Sequence, residues 1–421
     1  MHNTYTGPAV MPVREQARVT NAILGERFEK ILPAIMRETG FDMWITICHE
    51  DNHDPIFNTI IPWECWAPIL QMVVFYDPGV GQDIERLNIS LTNMQGLMTT
   101  IWNLESADDQ WATLRKVVEE RNPQRIGINQ SDVIWAADGL TAALRDKLVA
   151  TLGESLSSRL ESAEVLCTRW LESRLPAELE LYQHACAIAH HVMKTCFSRQ
   201  VVTPGVTTIE DLRWWYWQET TDLGLPVSFP AFFRFMRGPE NRARWGENDK
   251  IIRPGDMIHC DVGFKYCRLI TDHQELAYVL RPGETSVPQG LLDGMAQANA
   301  LQDIFTDTWQ LGLTGNEILA KALATAHERG ICKPKIYSHS LSHYLHEPGP
   351  LMGLPWEQVN TGGRGEVKMY YDTCYTVELG VTCPVPEWEG QEVAFPLEQD
   401  AVFTQNGAVY LDGRQTQFHV I

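Results

Sequence analysis

The chain has 421 residues, of which 44% are hydrophobic and 21% charged, and a formal net charge of -20. It exceeds the length at which a single core keeps growing, so two domains are expected. Its negative charge repels phosphate backbones and anionic headgroups, which argues against nucleic acid or membrane partners.

In chain order, the opening MHNTYTGPAVMPVREQ lacks the charged-then-apolar layout of a secretory signal, and no apolar run reaches the roughly 18 to 20 residues of a membrane span. A cytoplasmic protein is expected. From Arg14 to Glu38 apolar residues recur at helical spacing (Val19, Ile23, Phe28, Ile31, Ile35), and Gly40 supplies a terminator. The runs DMWITICHE, MVVFYDPG, LNISLTN and RIGINQS are bounded by turn residues and predict strands with helices between them. Together they predict an α/β domain over residues 1–173.

The texture changes at Arg174. Pro176 opens a helix whose first turn holds Glu178 and Glu180, and a second domain is placed over residues 174–421. Thr207 with Glu210, and Thr314 with Glu317, read as capping boxes of two further helices closing near Gly224 and Gly330. MIHCDVGF, LITDHQELAYVL, CYTVELGV, AVFTQ and AVYLD alternate with these helices as strands, an α+β pattern. The ten cysteines include no CxxC pair, so neither a zinc ribbon nor a disulfide framework is expected.

Five residues of the second domain fit two metal ions: Asp261, Asp272, His339, Glu378 and Glu398. A hairpin turning at Tyr266 and Cys267 would set Asp261 opposite Asp272, within about 5.5 Å at Cβ. Facing carboxylates repel unless a cation lies between them. Glu378 and Glu398 sit in apolar segments, where an unpaired charge is costly. Four carboxylates and two divalent cations neutralise one another. Oxygen ligation with one imidazole and no thiolate suits Mn first, with Co, Fe or Zn as alternatives. Such a pair of ions activates a water and polarises a carbonyl, so amide hydrolysis is its natural use.

The motifs DVGFKYCRLITD, HSLSHYLHE, TVE and LEQDAVFTQNG, in this order, resemble those of the pita-bread metallopeptidase family, which includes Xaa-Pro aminopeptidases, prolidases, methionine aminopeptidases and the metal-free creatinases. The likeness covers residues 174–421, and the first domain is similar in size to that of the prolidase and creatinase branch. The resemblance implies a creatinase-type α/β amino-terminal domain, a pita-bread catalytic domain and a homodimer. It implies that Asp261 binds one ion, His339 and Glu378 the other, while Asp272 and Glu398 bridge both. Glu378 would be the general base, and His346 would contact the substrate or its oxyanion.

The chain also departs from the family pattern. Arg244 stands where the peptidases carry a histidine, and an arginine can clamp a carboxylate but cannot shuttle a proton. Arg244 and His343 are the candidate substrate contacts, with a structural role as the alternative for His343. His259 shares a strand face with Asp261, either as a substitute for the missing histidine or as a packed residue. Ser340, Ser342 and Leu379 replace the family's usual residues, and His273, Gln274 and Glu275 follow Asp272 in place of Thr-Arg. The expected activity is a dinuclear hydrolase acting on an amide near the amino end of a small substrate, with Xaa-Pro peptides first. The alternatives are a non-peptide amide or C-N hydrolase, or a catalytically retired binding module.

Overall fold

In the computed structural model, which describes residues 5–63 and 65–421, the chain divides into two units: Arg14–Leu175, and Pro176–Ile421 together with the described residues before Arg14. The opening segment therefore groups with the second unit and not with the first, where the sequence reading put it. Tyr5 packs edge-on against His191 at 5.1 Å between ring centres, and the Met11 N–H donates to the Tyr266 hydroxyl at 3.2 Å. Among the described residues no helix is long and apolar enough to cross a membrane. Among the described residues no cysteine forms a disulfide.

The first unit holds α1 (Val13–Thr39), β1 (Met43–His49), α2 (Phe57–Ile60), β2 (Leu70–Tyr76), β3 (Glu85–Asn88), β4 (Thr99–Thr100), α3 (Gln110–Arg121), β5 (Ile126–Ile128), α4 (Ala142–Ser157), β6 (Leu160–Ser162) and α5 (Glu164–Glu172). The strands form one mixed sheet in the order β4-β3-β2-β1-β5-β6. Met43, Ile45 and Ile47 of β1 pack with Leu114 and Val118 of α3 and Leu144 and Leu148 of α4. The run LNISLTN is mostly not a strand: Asn88 ends β3, and its side-chain amide donates to the carbonyls of Ser90 and Thr92, folding the following residues into a loop.

The second unit holds α6 (Pro176–Cys196), α7 (Ile209–Asp222), β7 (Phe232–Arg237), α8 (Pro239–Trp245), β8 (Asp256–Val262), β9 (Lys265–Tyr266), β10 (Leu269–Ile270), β11 (His273–Tyr278), α9 (Gln289–Asp307), α10 (Gly315–Glu328), β12 (Lys335–Ile336), β13 (Thr373–Thr376), β14 (Leu379–Val385), β15 (Gln391–Leu397), β16 (Asp400–Thr404), β17 (Gly407–Tyr410) and β18 (His419–Val420). The box at Thr314 and Glu317 caps α10 as read. That of α7 lies one residue later than expected, between Thr208 and Asp211, which exchange hydrogen bonds at 2.8 and 3.1 Å.

Strand alternation sorts this unit's side chains into two cores. Ile258, Cys260 and Val262 of β8 and Ala277 of β11 pack with α6 and α7. Met257 of β8 and Leu276 and Tyr278 of β11 join the opposite core, built on α9, α10, β14 and β15. Each fully buried aliphatic side chain adds about 1.5–3 kcal/mol, so the two cores fix which face each strand residue presents. His259, Asp261 and Gln274 share the face of Met257 and Leu276.

Candidate metal centre

The turn between β9 and β10 sets the register of the site. Tyr266 pairs with Leu269, so the turn residues are Cys267 and Arg268, both at positive φ (50° and 70°), the pattern of a tight two-residue hairpin. The expected turn at Tyr266 and Cys267 is therefore one residue off, and the expected facing of Asp261 and Asp272 does not occur. Gln274 stands opposite Asp261 instead. Moving a turn by one residue shifts the pairing by two, which preserves the face, so Asp272 still projects beside Asp261 on the diagonal.

The two glutamates lie between named strands. Thr376 pairs with Asp400 on one side and Leu379 with Leu397 on the other, a continuous register that puts Glu378 opposite Glu398. Glu398 in turn exchanges two 3.1 Å backbone hydrogen bonds with Gln274. Asp261, Gln274, Glu398 and Glu378 thus form one row across neighbouring strands. Tyr337 closes the row by donating its backbone N–H to the Glu378 carbonyl at 3.1 Å.

His339 completes the centre. Its Nδ1–H donates to the Ser340 carbonyl at 3.1 Å, which leaves Nε2 as the free lone pair. Nε2 lies 3.8 Å from Asp272 Oδ2 and 3.9 Å from Glu378 Oε2, too far for hydrogen bonds but suited to ligands of one ion. The buried atoms His339 Nε2, Asp272 Oδ1 and Glu398 Oε1 have no hydrogen-bond partner. Orphaned donors of this kind, from two carboxylates and an imidazole whose ligand atoms lie within 4.8 Å of one another, fit a divalent cation.

Electrostatics agree with that fit. Burial, then the charges of Glu398, Asp261 and Asp400, pushes Asp272 well above the usual carboxylate range. Burial raises Glu378 and Glu398 likewise; Asp272 and Asp261 add to the effect on Glu378, and Glu378 and Asp261 to that on Glu398. Burial pushes Asp261 up to about 6, with Arg234 opposing. The His339 imidazole is driven well below its ordinary value, first by burial, and so is neutral and ready to ligate.

A side chain that sequence reasoning did not single out lies among these acids. The Gln274 amide donates from Nε2 to Glu378 Oε1 and to Glu398 Oε2, both at 2.8 Å. Its Oε1 accepts from His259 Nε2 at 2.8 Å, and His259 Nδ1 accepts from Arg234 Nε at 3.2 Å. Arginine only donates, so the direction of the whole chain is fixed: Arg234 to His259 to Gln274 to the two glutamates. Burial, reinforced by Arg234, lowers His259 to about 3, so it is a neutral link and not a proton shuttle. Sequence parity alone, Gln274 being two residues after Asp272, would have placed Gln274 on the ligand face.

Three candidates remain, His346, His343 and Arg244. His346 is exposed, its ring perpendicular to that of His339 at 4.6 Å, with its pKa lowered by burial and then by Arg364. The backbone N–H of His343 donates to Glu347 Oε1 at 2.9 Å, within the turn that follows His339. Arg244 is exposed on α8 with its guanidinium 4.8 Å above Trp245. It does not line the cavity of about 360 Å³ beside Glu378, whose walls include Arg234, Gln274, Lys335 and Tyr337. The cation at the centre is Arg234.

Residues 180–406 match the profile of metallopeptidase family M24. No curated protein sequence matches the chain. Among solved structures, the fold is similar to the X-Pro aminopeptidase of Thermotoga maritima MSB8 (TM-score 0.63, 14% identity, 92% of this chain and 100% of that one). It is also similar to the Xaa-Pro dipeptidase of Bacillus anthracis (0.57, 16%, 96% and 100%) and to the prolidase of Pyrococcus horikoshii OT3 (0.57, 13%, 95% and 99%).

Proposed function

Since this chain belongs to metallopeptidase family M24, we propose that Asp261, Asp272, His339, Glu378 and Glu398 hold two divalent ions, manganese first, and that the enzyme cleaves the amino-terminal amide bond of a short peptide. Xaa-Pro peptides are the leading substrates, in keeping with the names of the similar structures. The observation that supports this reading is the row Asp261, Gln274, Glu398, Glu378 with the orphaned lone pairs of Asp272, His339 and Glu398 beside it.

When bound, the ions supply Lewis acidity toward the substrate carbonyl and acidify the attacking water. Glu378 lines the cavity, its side chain 19% exposed. Glu378, its Oε1 held by Gln274, takes the water's proton and delivers it to the leaving nitrogen. His346, its ring 4.6 Å from that of His339, donates to the developing oxyanion. A cavity of about 360 Å³ admits a small substrate, and Arg234 and Lys335 in its wall suit a free carboxylate. We read Arg14–Leu175 as a creatinase-type amino-terminal domain and the protein as a cytoplasmic homodimer, on the family resemblance.

The amide of Gln274 among the acids, in place of the family's Thr-Arg, favours a second reading, a non-peptide amide or C-N hydrolase. The deciding experiment loads the protein with manganese and follows amine release from a panel of Xaa-Pro dipeptides. Turnover supports the peptidase. Two bound ions with no turnover across the panel would favour the second reading, and no bound metal after reconstitution would favour a retired binding module.

A further inference from the structure

Behind the row of acids, Cys186 of α6, His273 of β11 and Asp400 of β16 meet in the core. The Cys186 thiol lies 3.5 Å from Asp400 Oδ2, and His273 Nδ1 lies 3.9 Å from the same oxygen. One donor atom from each residue falls within 4.8 Å of the other two, and all three residues are buried. His273 Nδ1 and Asp400 Oδ1 have no hydrogen-bond partner. Two unpaired polar atoms in a core cost about 1–3 kcal/mol each, which calls for something to satisfy them.

The neighbours do not supply it. The Asp272 backbone N–H donates to Asp400 Oδ2 at 3.2 Å and leaves Oδ1 untouched. The His190 ring stands edge-on to His273 at 4.8 Å, but its nitrogens are taken by Asp412 Oδ2 and Gln399 Oε1, each at 2.8 Å. His190 is a wall of the cluster and not a donor to it.

Thiolate, imidazole and carboxylate together are the donors of a borderline-soft cation and contrast with the oxygen-rich centre next to them. Tetrahedral zinc bonds of about 2.3 Å to sulfur and about 2.0 Å to oxygen set those two atoms roughly 3.5 Å apart, which is the separation observed between Cys186 and Asp400. A thiolate and a carboxylate also neutralise a divalent charge, as a buried site requires. We propose that Cys186, His273 and Asp400 form a structural metal site for a zinc-class ion, separate from the carboxylate centre. His273 directly follows Asp272 and Asp400 lies two residues after Glu398, so an ion here pins the backbone of both acids read as bridging ligands. It is acquired as α6, β11 and β16 come together in folding.

The site is tested on the full chain reconstituted with cobalt. Sulfur ligation gives a near-ultraviolet thiolate-to-cobalt charge-transfer band, which the oxygen and nitrogen ligands of the carboxylate centre do not produce. The band is expected in the unmodified protein and in Glu398→Gln. It is expected to vanish in Cys186→Ser with the loss of one ion per chain. A cobalt-loaded protein without the band, or a band that survives Cys186→Ser, overturns the proposal. Should Cys186→Ser fail to fold, zinc-edge X-ray absorption of the unmodified protein decides. A sulfur neighbour at about 2.3 Å supports the site, and a shell of oxygen and nitrogen alone overturns it. Two ions bound without sulfur would remove this site and leave the carboxylate centre standing.

Discussion

Gln274 stands directly opposite Asp261 in the β8–β11 ladder, and its amide ties together the two glutamates on its other side. The amide takes Glu378 Oε1 and Glu398 Oε2, which leaves Glu378 Oε2 beside His339 and Glu398 Oε1 without a partner. One uncharged side chain thus decides which oxygens face the ions. Gln274→Met keeps the volume and removes the donors, so manganese affinity is expected to fall by about 10–100-fold, the usual effect of losing a partner of the ligands. Titration calorimetry of the metal-free protein measures it; an unchanged dissociation constant would show that the glutamates orient themselves.

Asp272→Asn removes one negative charge from the centre and keeps the shape. Because Asp272 Oδ2 faces His339 Nε2 while Oδ1 is unpartnered, both oxygens are available, and the resemblance makes this residue a bridge. Binding of both ions is expected to weaken, and turnover to drop by more than about 100-fold. Metal content and single-turnover rate read this together. Loss of one ion with the other intact would make Asp272 a terminal ligand instead.

Much of the centre was legible in the sequence because parity survives a small error in register. Asp261 and Asp272 share a face whether the hairpin turns at Tyr266 or one residue later, so their convergence could be read while their pairing could not. Cys267 and Arg268 take positive φ without the glycine or asparagine that would mark such a turn. That error hid Gln274, which occupies the place opposite Asp261 that had been given to Asp272. Arg234 was missed for a different reason: it reaches the centre only because β7 pairs it with His259, a non-local contact that no motif encodes. Arg244, chosen by its position in a motif, sits on α8 over Trp245.

The response to pH follows from the buried acids. Burial raises the folded-state pKa of Asp261 to about 6 and pushes Asp272, Glu378 and Glu398 well above the usual carboxylate range. For an acid with a raised pKa the folded chain holds the proton longer than the unfolded chain does. Stability of the metal-free protein from these groups is therefore present below the unfolded value and lost as pH climbs through the folded one. Ions require the deprotonated forms, so the gain in melting temperature on adding manganese is expected to be small below about pH 6 and to grow above it. Thermal scans with manganese and with chelator across pH 5 to 8 give that difference, in which effects common to both forms cancel. A gain independent of pH would mean that protons and ions do not compete for these carboxylates.

Arg234 sits at the meeting point of cavity and centre. Its Nε is committed to His259, while the residue also lines the cavity beside Glu378 together with Lys335. A guanidinium so placed has its terminal nitrogens to offer a substrate carboxylate, and such charged hydrogen bonds contribute about 1.5–3 kcal/mol. Arg234→Met is expected to raise KM for a dipeptide by about 10–100-fold, with a smaller change in kcat. The same dipeptide capped as its amide has no carboxylate to lose, so its KM should barely respond. Equal losses for the free and capped substrates would place the role of Arg234 in holding His259 and Gln274, and the carboxylate of the substrate would then be received elsewhere.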